Sequence, residues 1–274
     1  IAMTGPAPHR RRLRGIPVSF LVPNMITILS LCAGMTAIRF ALDGDWKFAA
    51  GAIALAAVLD TLDGRVARLL KASTKFGAEL DSFADFLAFG VAPAMLAYLW
   101  AAQDVSLGWA SALFFATCMA LRLARFNIAL DDDDSPPFAA SYFKGTPAPA
   151  AAGIGLLPLL LSFEFADVAA VPAGLVAVWL VLTGLLMISP LPTYSFKRMT
   201  LRRRHALFIL LAAVGVFVAA AAEPWLTLCG VISVYLASVP LSVLSYRRQE
   251  RVWRAGLDQA PVDRAPASDL RRVK

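Results

Sequence analysis

The sequence predicts an all-α integral membrane protein of about eight transmembrane helices, with both termini cytoplasmic. Three observations carry this. Of the 274 residues, 59% are hydrophobic and 16% charged, where soluble domains run to about 25% charged. Apolar stretches of about 20 residues, the length that spans a bilayer as a helix, recur along the chain. The lysines and arginines are sorted onto alternate connections between those stretches.

Taken in order, the apolar runs place spans at about 23–42, 47–70, 78–101, 106–129, 147–163, 170–188, 205–222 and 225–245. The fifth is short and carries Gly153, Gly155 and Pro158, which predict a tilt or kink. One set of connections holds Arg10, Arg11, Arg12 and Arg14, then Arg65, Arg68, Lys71 and Lys75, then Arg122, Arg125 and Lys144, then Lys197, Arg198 and Arg202–Arg204, then the tail from Arg247. Together these are 24 of the 26 basic residues; the opposite side keeps Arg39 and Lys47. Basic residues stay on the cytoplasmic side, and an odd number of spans would break the sorting. The chain divides into a basic cytoplasmic segment (1–22), a membrane domain (23–246) and a cytoplasmic tail (247–274).

The net charge of +7 therefore reads as membrane topology and not as a nucleic-acid surface. The basic N-terminal segment suits anionic headgroups, and the tail begins as a juxtamembrane helix. Cys32, Cys118 and Cys229 all fall within apolar runs and read as small core residues without a disulfide. The first apolar run leads straight into the core, so no cleavable signal peptide is expected. The acidic stretch Asp131–Asp134 reads as a solvated connector.

Against this background the stretch LDTLDGRVARLLKASTKFGAELDSFADF, Leu59 to Phe86, is anomalous: it sets Asp60, Asp63, Asp81 and Asp85 in otherwise apolar helix. At about 100° per residue, Asp60, Asp63, Gly64 and Ala67 share one helix face, with Arg68 at its edge. Gly77, Asp81 and Asp85 are four apart and form one stripe. The short KASTKF link makes the two helices antiparallel neighbours, so all four carboxylates can meet. Two unit charges about 4 Å apart repel by about 4 kcal/mol at an effective dielectric of about 20. Either some are protonated or cations sit between them. Oxygen-only ligands suit Mg²⁺, Mn²⁺ or Ca²⁺; His9 and His205 lie outside the motif. Two such ions would balance four carboxylates and suit phosphoryl displacement. Gly64, Ala67 and Gly77 leave room for a ligand, or let helices pack closely. Arg68 is a phosphate ligand or a snorkelling anchor.

Asp60-x-x-Asp63-Gly64-x-x-Ala67-Arg68, eight residues, then Gly77-x-x-x-Asp81-x-x-x-Asp85 resembles the signature of the CDP-alcohol phosphotransferases, with every signature residue at the family's spacing. VPNMITILSLCAG, FGVAPA, ALRLARFN, YFKGTPAPAAAG and SPLPTYSFK look like the phosphatidylserine synthases of the bacterial and archaeal membrane type. The resemblance runs from Pro23 to Lys197; Thr146 departs from it, standing where leucine is expected in a GLP stretch.

The charge sorting places the Leu59–Phe86 stretch at the cytoplasmic face of the inner membrane, and the resemblance implies a homodimer. It implies transfer of a phosphatidyl group from CDP-diacylglycerol to L-serine, with release of CMP. Metal ligands would be Asp60, Asp63, Asp81 and Asp85, holding Mg²⁺ or Mn²⁺, with Asp85 also the general base. Gly64, Ala67 and Gly77 would line the cytidine pocket, Arg68 would sit near the diphosphate, and Asn24 and Thr27 would add contacts. The zwitterionic acceptor calls for a cation: Arg122, Arg125 and Lys144 are candidates and also serve as positive-inside anchors. Tyr142 and Asn127 could hydrogen-bond the acceptor or simply sit at the membrane interface.

Three other readings compete. Glycerol phosphate, inositol phosphate or choline could replace serine in the same chemistry. A membrane prenyltransferase usually carries its acidic motif twice, and the second half of this chain offers none. A cation-coupled transporter would place acids near the bilayer midplane on broken helices, whereas these lie at one end.

Overall fold

The structure, a computed structural model, describes residues 21–72, 74–129, 142–165, 171–194 and 206–258. The basic N-terminal run, Asp131–Asp134, the 197–204 basic cluster and the last residues of the tail lie outside the described residues. The described residues form eight helices: α1 (Leu21–Leu42), α2 (Trp46–Leu69), α3 (Lys75–Ala102), α4 (Gly108–Ala129), α5 (Ala148–Ser162), α6 (Ala173–Ile188), α7 (Ala206–Ala222) and α8 (Pro224–Asp258). Two short strands, β1 (Tyr142–Lys144) and β2 (Pro192–Tyr194), pair antiparallel with Phe143 opposite Thr193. Among the described residues, α1, α3, α4 and α8 are long and apolar enough to cross a membrane, and α5, α6 and α7 are shorter apolar helices. The 24-residue α2 has the length but carries Lys47, Asp60, Asp63, Arg65 and Arg68. This is an almost wholly helical membrane protein.

Small residues hold the bundle together. The buried stripe of α1 is Thr27, Ser30, Gly34, Ala37 and Ala41, and it lies along Ala49, Ala50, Ile53 and Ala56 of α2. The Ser30 hydroxyl donates to the Ala56 carbonyl at 3.0 Å. Side chains this small let backbones approach and van der Waals contact accumulate, the main attraction between helices where lipid removes the hydrophobic one. The outward faces are as apolar as the interior: Met25, Leu29, Phe48, Leu55 and Leu113 are all exposed, as a lipid-facing surface requires.

The short fifth helix, α5, sits at the centre of the bundle. Nine of its residues are buried, Ala148 through Leu160, among α3, α6 and α8. Its shortness follows from that position, since it need not meet lipid along its length; Pro158 lies inside it. Two further details differ from the expectations. Cys118 and Cys229 are buried but Cys32 is exposed, so it faces outward and not into the core; all three are free thiols. The last span and the juxtamembrane helix expected after it are one continuous 35-residue helix, α8.

Within α3 the backbone widens from α to π geometry over Phe86–Val91, directly after Asp85. Pro93 follows within the FGVAPA stretch. Proline removes the N–H that a regular helix would direct four residues back, and the looser turn accommodates that loss. π-Turns of this kind cluster at functional sites.

Candidate functional site

The chain reverses between α2 and α3 by two local devices. Lys71 adopts φ of 51°, and the Ala72 N–H returns to the Ala67 carbonyl at 2.9 Å, closing α2. Thr74 then caps α3: its side-chain oxygen accepts the Gly77 N–H at 2.9 Å. The reversal brings Asp60 and Asp63, near the end of α2, opposite Asp81 and Asp85 on the first turns of α3. Carboxylate oxygens of Asp60, Asp63 and Asp81 all lie within 4.8 Å of one another. Asp85 joins them through hydrogen-bonding contact with Asp60. Asp63 is buried and its Oδ2 accepts the Thr27 hydroxyl from α1 at 2.7 Å.

The two acidic helices are not packed directly on each other over this stretch. Both lean on α1, which leaves a gap between their ends. That gap is a cavity of about 190 Å³ lined by Asn24, Thr27, Asp63, Gly64, Ala67, Thr74, Gly77 and Asp81, with Pro23, Ala72 and Ala78. Gly77 is required by close approach: a Cβ there would lie 2.8 Å from Asn24 Oδ1 and 3.1 Å from Thr74 Oγ1. A Cβ on Gly64 would meet nothing within 4 Å and would project into open space. Arg68 is exposed and folded onto its own helix, with Nε donating to the Gly64 carbonyl at 2.9 Å; it is not among the lining residues.

The basic residues near the end of α4 are anchored to backbone. Arg122 Nε donates to the Thr146 carbonyl at 2.6 Å, and its guanidinium faces Asp85 and Asp60. Arg125 Nη1 donates to the Ile188 carbonyl at 2.7 Å. Asn127 Nδ2 donates to Ser82 Oγ at 3.0 Å, tying α4 to α3 beside Asp81. Lys144 stands on β1 opposite Pro192. The structure thus gathers Arg122 to the carboxylates, while Arg125 braces the connection from α6.

With this geometry in place, comparison with known proteins is decisive. The profile of the CDP-alcohol phosphatidyltransferase family matches residues 20–192. The chain belongs to this family. A CDP-diacylglycerol–serine O-phosphatidyltransferase of Mycobacterium tuberculosis (strain ATCC 25618 / H37Rv) is 37% identical over 246 residues, covering 89% of this chain and 86% of the relative. Proteins of the same name from Helicobacter pylori (strain ATCC 700392 / 26695) and Methanocaldococcus jannaschii are 36% and 34% identical, covering 73% and 71% of this chain and 82% and 84% of theirs.

The donor set of this family member fits a hard divalent cation. Its ligands are carboxylate oxygens alone, crowded closely enough to need a counter-charge, and Thr27 fixes one oxygen of Asp63. The motif identified the cluster and most of the cavity. It missed Thr74, whose signal was present as a threonine three residues before Gly77 at a helix start. It singled out Thr146 but did not link it to Thr193 and Tyr235, which the fold brings beside it, because no local spacing connects residues so far apart.

Proposed function

We propose that this chain transfers the phosphatidyl group of CDP-diacylglycerol to the hydroxyl of L-serine, giving phosphatidylserine and CMP. The observation that carries the reading is the convergence of Asp60, Asp63 and Asp81, with Asp63 and Asp81 lining a cavity alongside Gly64, Ala67 and Gly77. The serine assignment is supported by relatives of that name at 34–38% identity over most of the chain. The apolar outer surface keeps the donor's acyl chains in the bilayer while its head reaches the end of the bundle.

Asp60, Asp63, Asp81 and Asp85 are the residues that would hold two Mg²⁺ or Mn²⁺ ions; bound there, they would neutralise the donor's pyrophosphate and improve CMP as a leaving group. Gly64, Ala67, Gly77, Asn24 and Thr27 receive the nucleotide, the glycines by leaving backbone open to close approach. Arg68 can swing from its helix to the diphosphate. Asp85 accepts the proton of the serine hydroxyl as its oxygen bonds to the β-phosphorus. The bond from that phosphorus to the bridging oxygen breaks, and CMP leaves with the electron pair. Arg122, with Arg125 and Lys144 nearby in the fold, supplies positive charge for the serine carboxylate.

The sorting of basic residues supports eight spans, both termini in the cytoplasm and a site facing the cytoplasm at the inner membrane. It also supports the membrane domain as residues 23–246 between two cytoplasmic flanks. The family resemblance supports a homodimer. The test is product identity: purified protein is given CDP-diacylglycerol, Mn²⁺ or Mg²⁺ and, separately, serine, glycerol phosphate, inositol phosphate or choline. Phosphatidylserine from the serine reaction is the expected result. Turnover with another alcohol and none with serine would refute the acceptor assignment and leave the family chemistry standing.

A further inference from the structure

Tyr235 lies on α8, beyond the 20–192 stretch that the family profile matches. The α8 helix packs against β2 and α5, and this brings the Tyr235 phenol to the polar group around Thr146. Tyr235 OH and Thr146 Oγ1 are buried and approach each other, yet neither meets a partner at full hydrogen-bonding geometry, a state folded proteins avoid. Thr146 and Thr193 are both 1% exposed, and both face the phenol. Thr193 is already committed, donating to the Gly145 carbonyl at 2.7 Å. Gly145 itself has φ of 85°, a conformation that favours glycine and sets Thr146 inward. Arg122 connects this group to the chemistry: its Nε holds the Thr146 carbonyl, and its guanidinium faces Tyr235 as well as Asp85.

We propose that Tyr235 OH, Thr146 Oγ1 and the Arg122 guanidinium together receive the carboxylate of the amino-acid acceptor, making Tyr235 and Thr146 specificity-determining residues. All three are donors, and a carboxylate has lone pairs enough for each. An acceptor held there by its carboxylate presents its hydroxyl toward Asp85, which the same arginine faces. A site built to bond a charged group discriminates strongly against an analogue lacking it, because its buried donors are then left unpaired. The inference rests on the serine reading above and adds a residue from the last helix to it.

The experiment is steady-state CMP release by Tyr235→Phe, Thr146→Val and Thr146→Ser, with serine, CDP-diacylglycerol and Mn²⁺ varied in turn. Ethanolamine, which is serine without its carboxylate, serves as the comparison acceptor. Tyr235→Phe and Thr146→Val are expected to raise the serine KM about tenfold each and to narrow the preference for serine over ethanolamine by the same factor. The KM values for donor and metal stay unchanged, and Thr146→Ser, which keeps the hydroxyl, stays near wild type. Tyr235→Phe retains the ring, so its thermal midpoint and elution volume report any loss of packing separately. A serine KM within about twofold of wild type in both variants overturns the inference while the proposed reaction stands. Equal rises for donor and acceptor also overturn it, by showing a structural role. A wild-type protein that turns over another alcohol and ignores serine overturns both.

Discussion

Thr27 shows how a single side chain sets up the acidic site. Its hydroxyl holds one oxygen of the buried Asp63 carboxylate at 2.7 Å, so Thr27→Val leaves that oxygen with one donor fewer. Loss of such an orienting partner typically costs 10- to 100-fold in metal affinity; a Mn²⁺ titration of activity should show the half-saturating concentration rising by about tenfold, with the maximal rate largely restored at high Mn²⁺. Asp85→Asn removes the proposed proton acceptor, and CMP release should fall by about 10²- to 10⁴-fold; turnover near wild type would remove Asp85 from the mechanism. Gly77→Ala drives a Cβ to 2.8 Å from Asn24 Oδ1, and kinetics should show the KM for CDP-diacylglycerol rising about tenfold or more while the serine KM holds. The aspartates and glycines were legible because spacing on a helix fixes the face. The resting position of Arg68 was not: its spacing places it at the cavity edge, but a long side chain chooses among contacts, and here it takes its own helix's Gly64 carbonyl.

At the scale of elements, the turn between α2 and α3 determines whether the acidic pairs meet. The Thr74 cap on α3 contributes about 1 kcal/mol. Thr74→Ala should therefore lower the thermal midpoint by a few degrees in detergent and reduce activity further than stability, because Thr74 also lines the cavity. Helix positions were readable from hydropathy: each expected run corresponds to an observed helix, with ends differing by a few residues except at α8, which runs on to Asp258. What hydropathy could not supply was contact. The two acidic helices read as direct neighbours; they do touch further along, at Phe86–Ala97 of α3, but over Lys75–Asp85 both rest on α1 and leave the cavity between them. Nor did it supply the β1–β2 pairing, since strands of three residues carry too short a pattern to register. The π-helical stretch after Asp85 was hidden for the same reason: Pro93 announces an irregularity but not its form.

For the whole molecule, burial separates two kinds of apolar helix that composition alone cannot. The α5 helix is short and almost fully enclosed, while α7 is of similar length and exposed along residues 207–222. Both read simply as greasy runs of 15–17 residues. The charge sorting, by contrast, is a property of the entire chain and predicts that both ends share a side with the active site. Single cysteines placed near each terminus of a cysteine-free variant should react with a membrane-impermeant maleimide in inverted vesicles and be protected in right-side-out ones. Labelling of the two ends from opposite sides would rule out an even number of spans.

The central claim is that the acidic ends of α2 and α3 bind divalent ions that the reaction needs. Mn²⁺ binding followed by electron paramagnetic resonance tests it most directly, on the purified wild-type protein and on Asp63→Asn and Asp81→Asn. Wild-type protein should bind Mn²⁺ and each variant should lose affinity by at least about tenfold, in parallel with its loss of CMP release. Unchanged Mn²⁺ binding in both variants, or full turnover by wild-type protein after exhaustive chelation, would contradict the account.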